Sequence, residues 1–295
     1  MTSVESGEID NRPPTPVEED CCGNGCNPCI FDIHKKLLEK WNKEKFDKLN
    51  DTLLDKNYLS PVKYSAFIID KITKACEDCI FVCLNCKSKK EDDIIFLSPS
   101  QHVMIKLDTV TKPYTPISWS RKSIKLLIKL YSNGKASNYV KKLKVHDELS
   151  IRGPYGEFKY QRNSYKHILM LSIGSGIAAM YPLASSIVQD DLEDTKINMT
   201  VGFRSFSHVP LNDELRLLSD YWNFECTLYL SQESTANMTG INIVSNRLNG
   251  DIIRGILNSY SSESCLILIC GTTEFNETVE KIVVEKEFSH YHVFR

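Results

Sequence analysis

A change of pattern near Ser164 divides this chain of 295 residues into two parts. Before it, short β-rich runs recur between Tyr64 and Tyr160, separated by turns rich in Lys, Asp, Asn and Gly. Evenly spaced short strands of this kind predict an antiparallel barrel. After it, strands alternate with helices, which predicts a doubly wound parallel sheet. The expected fold class is therefore α+β with two domains, a barrel followed by an α/β domain.

The bounds of the predicted elements follow from the runs of apolar and β-branched residues. Strands are expected in the first part at 64–69, 80–84, 102–107, 114–118, 123–131 and 148–152. In the second part they are expected at 168–173, 197–203, 224–230, 266–270 and 290–294, with helices ending near 189 and spanning 212–221, 247–257 and 274–286. We expect a disordered tail (1–20), a cysteine-rich helical leader (21–58), a barrel domain (59–162) and an α/β domain (163–295).

Composition narrows the range of partners. The chain is 42% hydrophobic and 25% charged, which is typical of a soluble globular protein with room for two domains. Its net charge of -2 gives no general attraction to nucleic acid, so nucleic acid is not expected as a partner. The polar, acidic start has no apolar core of a signal peptide, and a cytoplasmic chain is expected.

One uncharged stretch, residues 168–188, could be mistaken for a membrane span. Gly174, Gly176 and Pro182 interrupt it, and four serines dilute it below the apolar content of a spanning helix of about 20 residues. We interpret it as a strand, a glycine turn and a helix, and expect no transmembrane segment.

The leader carries four cysteines within nine residues, Cys21, Cys22, Cys26 and Cys29. Such a group could hold Zn²⁺ or an iron–sulfur unit, and a second group could complete it, namely Cys76, Cys79, Cys83 and Cys86. Cys83 and Cys86 are expected on opposite faces of one strand, which argues against shared ligation. We therefore interpret the cysteines as small, unliganded hydrophobic side chains and assign no metal ligand.

Apolar residues at helical spacing follow the cysteines, at Ile30, Ile33, Leu37 and Trp41, and later at Leu49 and Leu53. They predict one or two amphipathic helices. Packing against the rest of the protein is favoured over docking of another protein, because most amphipathic helices bury their apolar stripe within their own fold.

The segment 112–118, Lys-Pro-Tyr-Thr-Pro-Ile-Ser, places a cation, an aromatic ring and two hydroxyls on one short stretch. Pro113 and Pro116 favour an extended backbone. Tyr114 could lie against an isoalloxazine ring, Thr115 and Ser118 could hydrogen-bond a flavin, and Lys112 could neutralise a pyrophosphate. The alternative is an edge strand that happens to carry a tyrosine.

Four further motifs follow in order: Gly134-Lys135-Ala136-Ser137, Gly153-Pro154-Tyr155-Gly156, Gly174-Ser175-Gly176-Ile177-Ala178-Ala179-Met180 and Cys270-Gly271-Thr272-Thr273. With the 112–118 segment they resemble the motifs RPYTPxS, GGxMS, GPxG, GTGITPM and CGPPxM. These are typical of the NADH-cytochrome b5 reductase group of the ferredoxin-NADP reductase-like flavoproteins. The resemblance spans residues 60–295, and residues 21–41 of the leader resemble the oxidoreductase-like N-terminal module.

The resemblance implies FAD on a Greek-key barrel and NADH on the parallel sheet. It implies that Lys112 meets the FAD pyrophosphate, that Tyr114 stacks on the flavin, and that Thr115 and Cys270 are catalytic, near flavin N5 and the nicotinamide. The cofactor-binding residues expected from it are Lys112, Pro113, Tyr114, Thr115, Ser118, Lys129, Tyr131, Gly134, Lys135, Ala136, Ser137, Gly174, Ser175, Gly176, Ala178, Cys270, Gly271 and Phe294.

The chain departs from the family motifs at several positions. Lys112 replaces an arginine and loses its bidentate fork, and Ala136 replaces a methionine. Ala178-Ala179 stands where Thr-Pro is usual, and Thr272-Thr273 where Pro-Pro is usual, which is expected to loosen that loop. No acidic residue follows the strand ending at Phe203 to bind a ribose 2′-hydroxyl, and Arg204 could accept a 2′-phosphate, so NADH rests on the resemblance alone.

These observations favour an FAD-dependent oxidoreductase that takes a hydride from NADH and passes electrons singly to an acceptor such as cytochrome b5. The alternative, suggested by the alanine and threonine departures, is a flavin-bound redox sensor or assembly partner with weak turnover.

Overall fold

The computed structural model describes residues 12–21, 26, 28–44, 57–233 and 236–295, and the side chains of 39–44 are not described. Two sheets form the body of the protein, one antiparallel with seven strands and one parallel with six. The expected order, a barrel followed by a parallel α/β domain, is confirmed.

The antiparallel sheet has the strand order β4-β3-β7-β1-β2-β6-β5. Its strands are β1 (Ser65–Lys74), β2 (Cys79–Cys86), β3 (His102–Leu107), β4 (Val110–Tyr114), β5 (Pro116–Trp119), β6 (Ser123–Lys129) and β7 (Glu148–Tyr155). The two edge strands, β4 and β5, are separated in the chain by Thr115 alone, so the sheet must curl until its edges meet. Buried side chains from alternate strand positions fill the interior, including Phe67, Ile105 and Leu126.

The sequence predicted a single strand at 114–118, and this was wrong. The chain breaks at Thr115, where it leaves the pairing of Tyr114 with Val103 and enters that of Pro116 with Leu126. Pro116 cannot donate a backbone hydrogen bond, which favours such a break. Thr115 is therefore held at the seam of the barrel.

The parallel sheet has the order β11-β10-β9-β8-β12-β13. Its strands are β8 (His167–Ile173), β9 (Lys196–Phe203), β10 (Phe224–Leu230), β11 (Asn242–Val244), β12 (Cys265–Cys270) and β13 (Tyr291–Phe294). The chain leaves β8 first toward β9 and later returns to its other side with β12. The carboxyl ends of β8 and β12 therefore flank a switch point, where open sheets of this kind bind ligands. The short strand β11 was missed by the sequence analysis.

Helices cover both faces of the parallel sheet, and a short helix closes one end of the barrel. They are α2 (Lys135–Val140), α3 (Ile177–Val188), α4 (Asn212–Leu218), α5 (Gly250–Leu257) and α6 (Thr273–Glu285). Nearly all of α3 is buried, because its apolar residues face the sheet on one side and the barrel on the other. The hydroxyl of Ser100, on the barrel side, donates to the carbonyl oxygen of Ala179 at 2.9 Å.

The two domains also meet at the β1–β2 turn. The Glu77 amide donates to the Ser207 carbonyl oxygen at 2.9 Å, and the Ser207 hydroxyl donates to the Glu77 carboxylate at 2.8 Å. An ion pair between Lys125 and Glu214, at 3.4 Å, adds a second connection.

The leader packs on the body through helix α1 (Ile30–Glu44). Ile30 is 1% exposed, and Lys36 Nζ lies 2.8 Å from Glu157 Oε1. Residues 12–20 are described, and Pro16 among them is buried. Residues 1–11, Cys22, the Trp41 side chain, Leu49 and Leu53 lie outside the described part. Within the described residues, no helix is long and apolar enough to cross a membrane.

Candidate functional site

A cleft of about 1840 Å³ runs between the barrel and the carboxyl ends of the parallel strands. Every expected cofactor-binding residue except Ser118 lines it. Ser118 is exposed on the edge strand β5, paired with Lys125 of β6. The motifs, which are spread over some 180 positions of sequence, are thus gathered in one place.

On the barrel side, strand β4 presents Lys112 and Tyr114 to the cleft, and Thr115 follows it at the barrel seam. Lys112 is exposed, whereas Tyr114 is half-buried against the barrel core. Burial, reinforced by the nearby Tyr131, raises the pKa of the Tyr114 phenol to about 12. The ring is therefore a neutral platform with its edge on the core.

Lys129 reaches from β6 toward the glycine loop of the opposite domain. Its Nζ lies 3.0 Å from Asp78 Oδ2 and 5.9 Å from the centre of the Tyr131 ring. Burial alone would raise the pKa of Asp78, but the hydrogen bond and charge of Lys129 outweigh it and lower that pKa. A side chain at Gly174 would begin 3.5 Å from Lys129 Nζ, and Gly174 has a left-handed φ of 54°. Glycine is the residue best suited to that turn.

The segment 134–137 lines the barrel side of the cleft. Around Gly134 the nearest atom to an added Cβ is Ser137 Oγ at 4.0 Å, so ligand atoms can approach this backbone closely. The Ser137 hydroxyl accepts a hydrogen bond from the Tyr131 amide at 3.0 Å, which leaves its own proton free to be donated elsewhere.

Two glycines on the nucleotide side are required by packing. A Cβ on Gly176 would overlap the carbonyl of Cys270. A Cβ on Gly271 would lie 2.6 Å from Ile173 and 2.7 Å from Phe275. The family motifs predict both glycines as cofactor-binding residues. In the structure these two glycines also have a packing role, because they allow β8, β12 and α6 to lie close together.

Cys270 and Thr272 lie where β12 leads into α6. Burial raises the pKa of the Cys270 thiol to about 12, so the sulfur is neutral near neutral pH. The Thr272 hydroxyl caps α6 by accepting from the Phe275 amide at 3.3 Å. This hydrogen bond fixes the start of α6 at Thr272.

Sequence reasoning missed an aromatic group at the end of the cleft. Phe158 lies 5.0 Å from His292 and 5.6 Å from Phe294, measured between ring centres. The Asn276 amide donates to the Phe294 carbonyl at 3.1 Å, while its buried Oδ1 has no partner within the described residues. No motif marks Phe158 or Asn276, since only the fold brings them to Phe294.

The donor set fits the dinucleotide cofactors implied by the motifs. A cation (Lys112), a flat neutral ring (Tyr114), a hydroxyl (Thr115) and an open glycine backbone (Gly134) share one wall. The other wall holds the Gly174 turn and the end of β12, at the switch point of a parallel sheet. The unpartnered Asn276 Oδ1 adds an acceptor there.

Comparisons with known proteins agree with this arrangement. Family models match at residues 66–160 (oxidoreductase FAD-binding domain), 170–281 (oxidoreductase NAD-binding domain) and 6–49 (oxidoreductase-like protein, N-terminal). The chain is therefore an oxidoreductase with one domain for FAD and one for NAD.

Individual relatives are similar over most of the chain. A human protein described as NADH-cytochrome b5 reductase-like is 28% identical, covering 95% of this chain and 93% of its own length. NADH-cytochrome b5 reductase 1 of Dictyostelium discoideum is 30% identical, and the match covers 69% of this chain and 72% of that protein. The cytochrome b5 reductase domain of Ulva prolifera nitrate reductase shares the fold, with a TM-score of 0.67 at 21% identity, covering 81% of this chain and all of that domain. The chain belongs to the NADH-cytochrome b5 reductase family.

Proposed function

We propose that this protein oxidises NADH and delivers the electrons one at a time to a protein acceptor such as cytochrome b5. FAD, when bound, supplies the chemistry by accepting a hydride and releasing single electrons. The observation that carries the proposal is the single cleft lined by both the Lys112–Thr115 wall and the Gly174 and Gly271 turns. A flavin on one wall and a nicotinamide on the other would then face each other.

The barrel residues have the proposed role of holding FAD. Lys112 supplies positive charge for the pyrophosphate, and Tyr114 offers its neutral ring to the flavin. Thr115, fixed at the barrel seam, donates a hydroxyl near the reactive edge. The open backbone of the 134–137 segment admits phosphate oxygens. Ser118 is left out because it does not line the cleft.

The nucleotide-side residues have the proposed role of positioning NADH. Gly174 and Ser175 directly follow the central strand β8, and Cys270 ends its neighbour β12. Cys270 would act as a neutral, polarisable contact for the nicotinamide, because its raised pKa rules out a thiolate near neutral pH. Arg204 and Arg247 line the same cleft and would be compatible with a 2′-phosphate, so NADPH belongs in the test.

A cytosolic location is part of the proposal. The described cysteines of the two main domains are free thiols, namely Cys76, Cys79, Cys83, Cys86, Cys226, Cys265 and Cys270. Reduced thiols are usual where glutathione and thioredoxin maintain a reducing environment.

The test uses the purified full-length protein. It should be yellow, and NADH without oxygen should bleach it within seconds, faster than NADPH at equal concentration. When cytochrome b5 and excess NADH are then added, the amount of reduced cytochrome b5 should increase linearly with time. Colourless protein that FAD cannot reconstitute would refute the proposal. Yellow protein that NADH cannot reduce would instead favour a sensor.

A further inference from the structure

The β1–β2 turn brings two cysteines and an aspartate together beside the cleft. The backbone amides of Ala75 and Cys76 both donate to the Cys79 carbonyl oxygen, at 2.9 and 3.2 Å. This closes the turn and turns both thiols inward, where Cys76 is 8% and Cys79 3% exposed. Each sulfur lies 3.4 Å from Asp78 Oδ1, and the three atoms lie within 4.8 Å of one another.

These distances match those around a tetrahedral zinc ion. With Zn–S near 2.3 Å and Zn–O near 2.0 Å, a tetrahedral angle separates sulfur from oxygen by about 3.5 Å and sulfur from sulfur by about 3.8 Å. Both sulfur–oxygen distances in the turn are 3.4 Å. The spacing of two residues between Cys76 and Cys79 is also usual for a pair of zinc ligands in one turn.

The surrounding charge suits a dication bound by three anions. Two thiolates and one carboxylate would leave a zinc site with a net charge of about −1. Lys129 Nζ lies 3.0 Å from Asp78 Oδ2, the oxygen that does not face the sulfurs. It therefore offsets that charge and fixes the carboxylate, as outer hydrogen-bond partners of metal ligands commonly do.

We propose that Cys76, Asp78 and Cys79 bind a zinc ion whose fourth ligand comes from solvent. Asp78 and Cys79 both line the cleft, so the fourth position can be reached by water. The ion would fasten the turn that joins the barrel to the other domain through Glu77 and Ser207. The site is separate from the leader cysteines and does not depend on the proposed electron acceptor.

The test compares zinc content among full-length variants. The proteins compared are wild type, Cys76→Ser, Cys79→Ser and Asp78→Ala. Each is loaded with zinc and treated with a weak chelator to remove loosely bound metal. The zinc that remains per chain is then measured by elemental mass spectrometry. Cys226→Ser, which alters a buried strand thiol elsewhere, is the matched control. Each turn variant should lose about one zinc ion relative to wild type, and the control should lose none. Bound flavin reports whether each variant has folded.

A second measurement needs no variant. Wild-type protein, zinc-loaded or zinc-stripped, is treated with a thiol-alkylating reagent and mapped by peptide mass spectrometry. Zinc should slow labelling of Cys76 and Cys79 at least tenfold and leave Cys226 unchanged. Equal labelling, zinc content unaffected by Cys76→Ser and Cys79→Ser, or a Cys76–Cys79 disulfide in protein that takes up no zinc would each overturn the proposal.

Discussion

Among single side chains, Lys112 makes the most direct prediction about the FAD site. If it neutralises the pyrophosphate, Lys112→Ala should weaken FAD binding by roughly 1.5–3 kcal/mol, the scale of a hydrogen bond to a charged group. Lys112→Arg should retain FAD or hold it more tightly, since a guanidinium binds phosphate bidentately. The measurement is FAD affinity by titration of the stripped protein.

The control for this series is Lys106→Ala, because Lys106 is an exposed lysine on the neighbouring strand β3 that does not line the cleft. It should bind FAD like wild type. Equal FAD affinity in all four proteins would remove Lys112 from the proposed site.

The buried thiol of Cys270 makes a prediction about pH. Its pKa is raised to about 12 by burial, so the thiol stays protonated between about pH 6 and pH 9. The ratio of the rates at which NADH reduces wild type and Cys270→Ala should therefore be constant across this range. Anaerobic stopped-flow measurement of flavin bleaching gives the ratio. A tenfold change per pH unit would mean that Cys270 titrates and acts as a thiolate.

At the scale of elements, the junction of β12 with α6 is sensitive to added volume. A side chain at Gly271 would press on Ile173 and Phe275, which end β8 and begin α6. Gly271→Val should therefore displace the nicotinamide wall and slow reduction by NADH at least tenfold, about 1.4 kcal/mol of lost transition-state stabilisation. FAD, held by the separate barrel wall, should remain bound.

Gly255→Val is the matched control, because Gly255 is exposed on α5 and nothing lies within 4 Å of an added Cβ. Both variants are compared by flavin content and by stopped-flow reduction. An unchanged rate and NADH dependence for Gly271→Val would show that the nicotinamide binds elsewhere.

The helices and strands also show which parts of the fold the sequence could predict. Both sheets, most strand positions and nearly all cleft-lining motif residues could be predicted, because glycine, proline and alternating apolar residues act locally on the backbone. The break at Thr115 could not, because it depends on which strands meet at the barrel seam. The three-residue strand β11 carries too few residues for a periodic signal.

Considered as a whole molecule, the protein builds its cleft from distant parts of the chain. Phe158 leaves the barrel, Asn276 lies on α6 and Phe294 ends β13, yet they line one end of the cleft. Lys36 of the leader helix lines it as well. Contacts of this kind depend on the packing of complete domains, so no local sequence pattern predicts them. The specific cofactor contacts of the lining residues stay predictions until the tests above are made.

Acid stability is a property of the whole molecule that one cleft histidine should control in part. Burial lowers the pKa of His102 to about 4, from 6.5 for an exposed histidine. Between pH 4 and pH 6.5, His102 is therefore protonated in the unfolded chain but neutral in the folded protein. The stability contributed by neutral His102 is fully present above about pH 6.5 and is lost as the pH falls toward 4, by at most about 3 kcal/mol.

His102→Gln should remove this loss, so its free energy of unfolding should fall less than that of wild type between pH 7 and pH 4. His146→Asn is the control, since His146 is exposed and asparagine tolerates its left-handed φ of 77°. The measurement is urea unfolding with excess FAD at each pH. His292, whose pKa is also lowered by burial, remains in every variant, so some pH dependence should persist in His102→Gln. An identical pH dependence in wild type and His102→Gln would mean that the folded protein takes up the His102 proton as readily as the unfolded chain does.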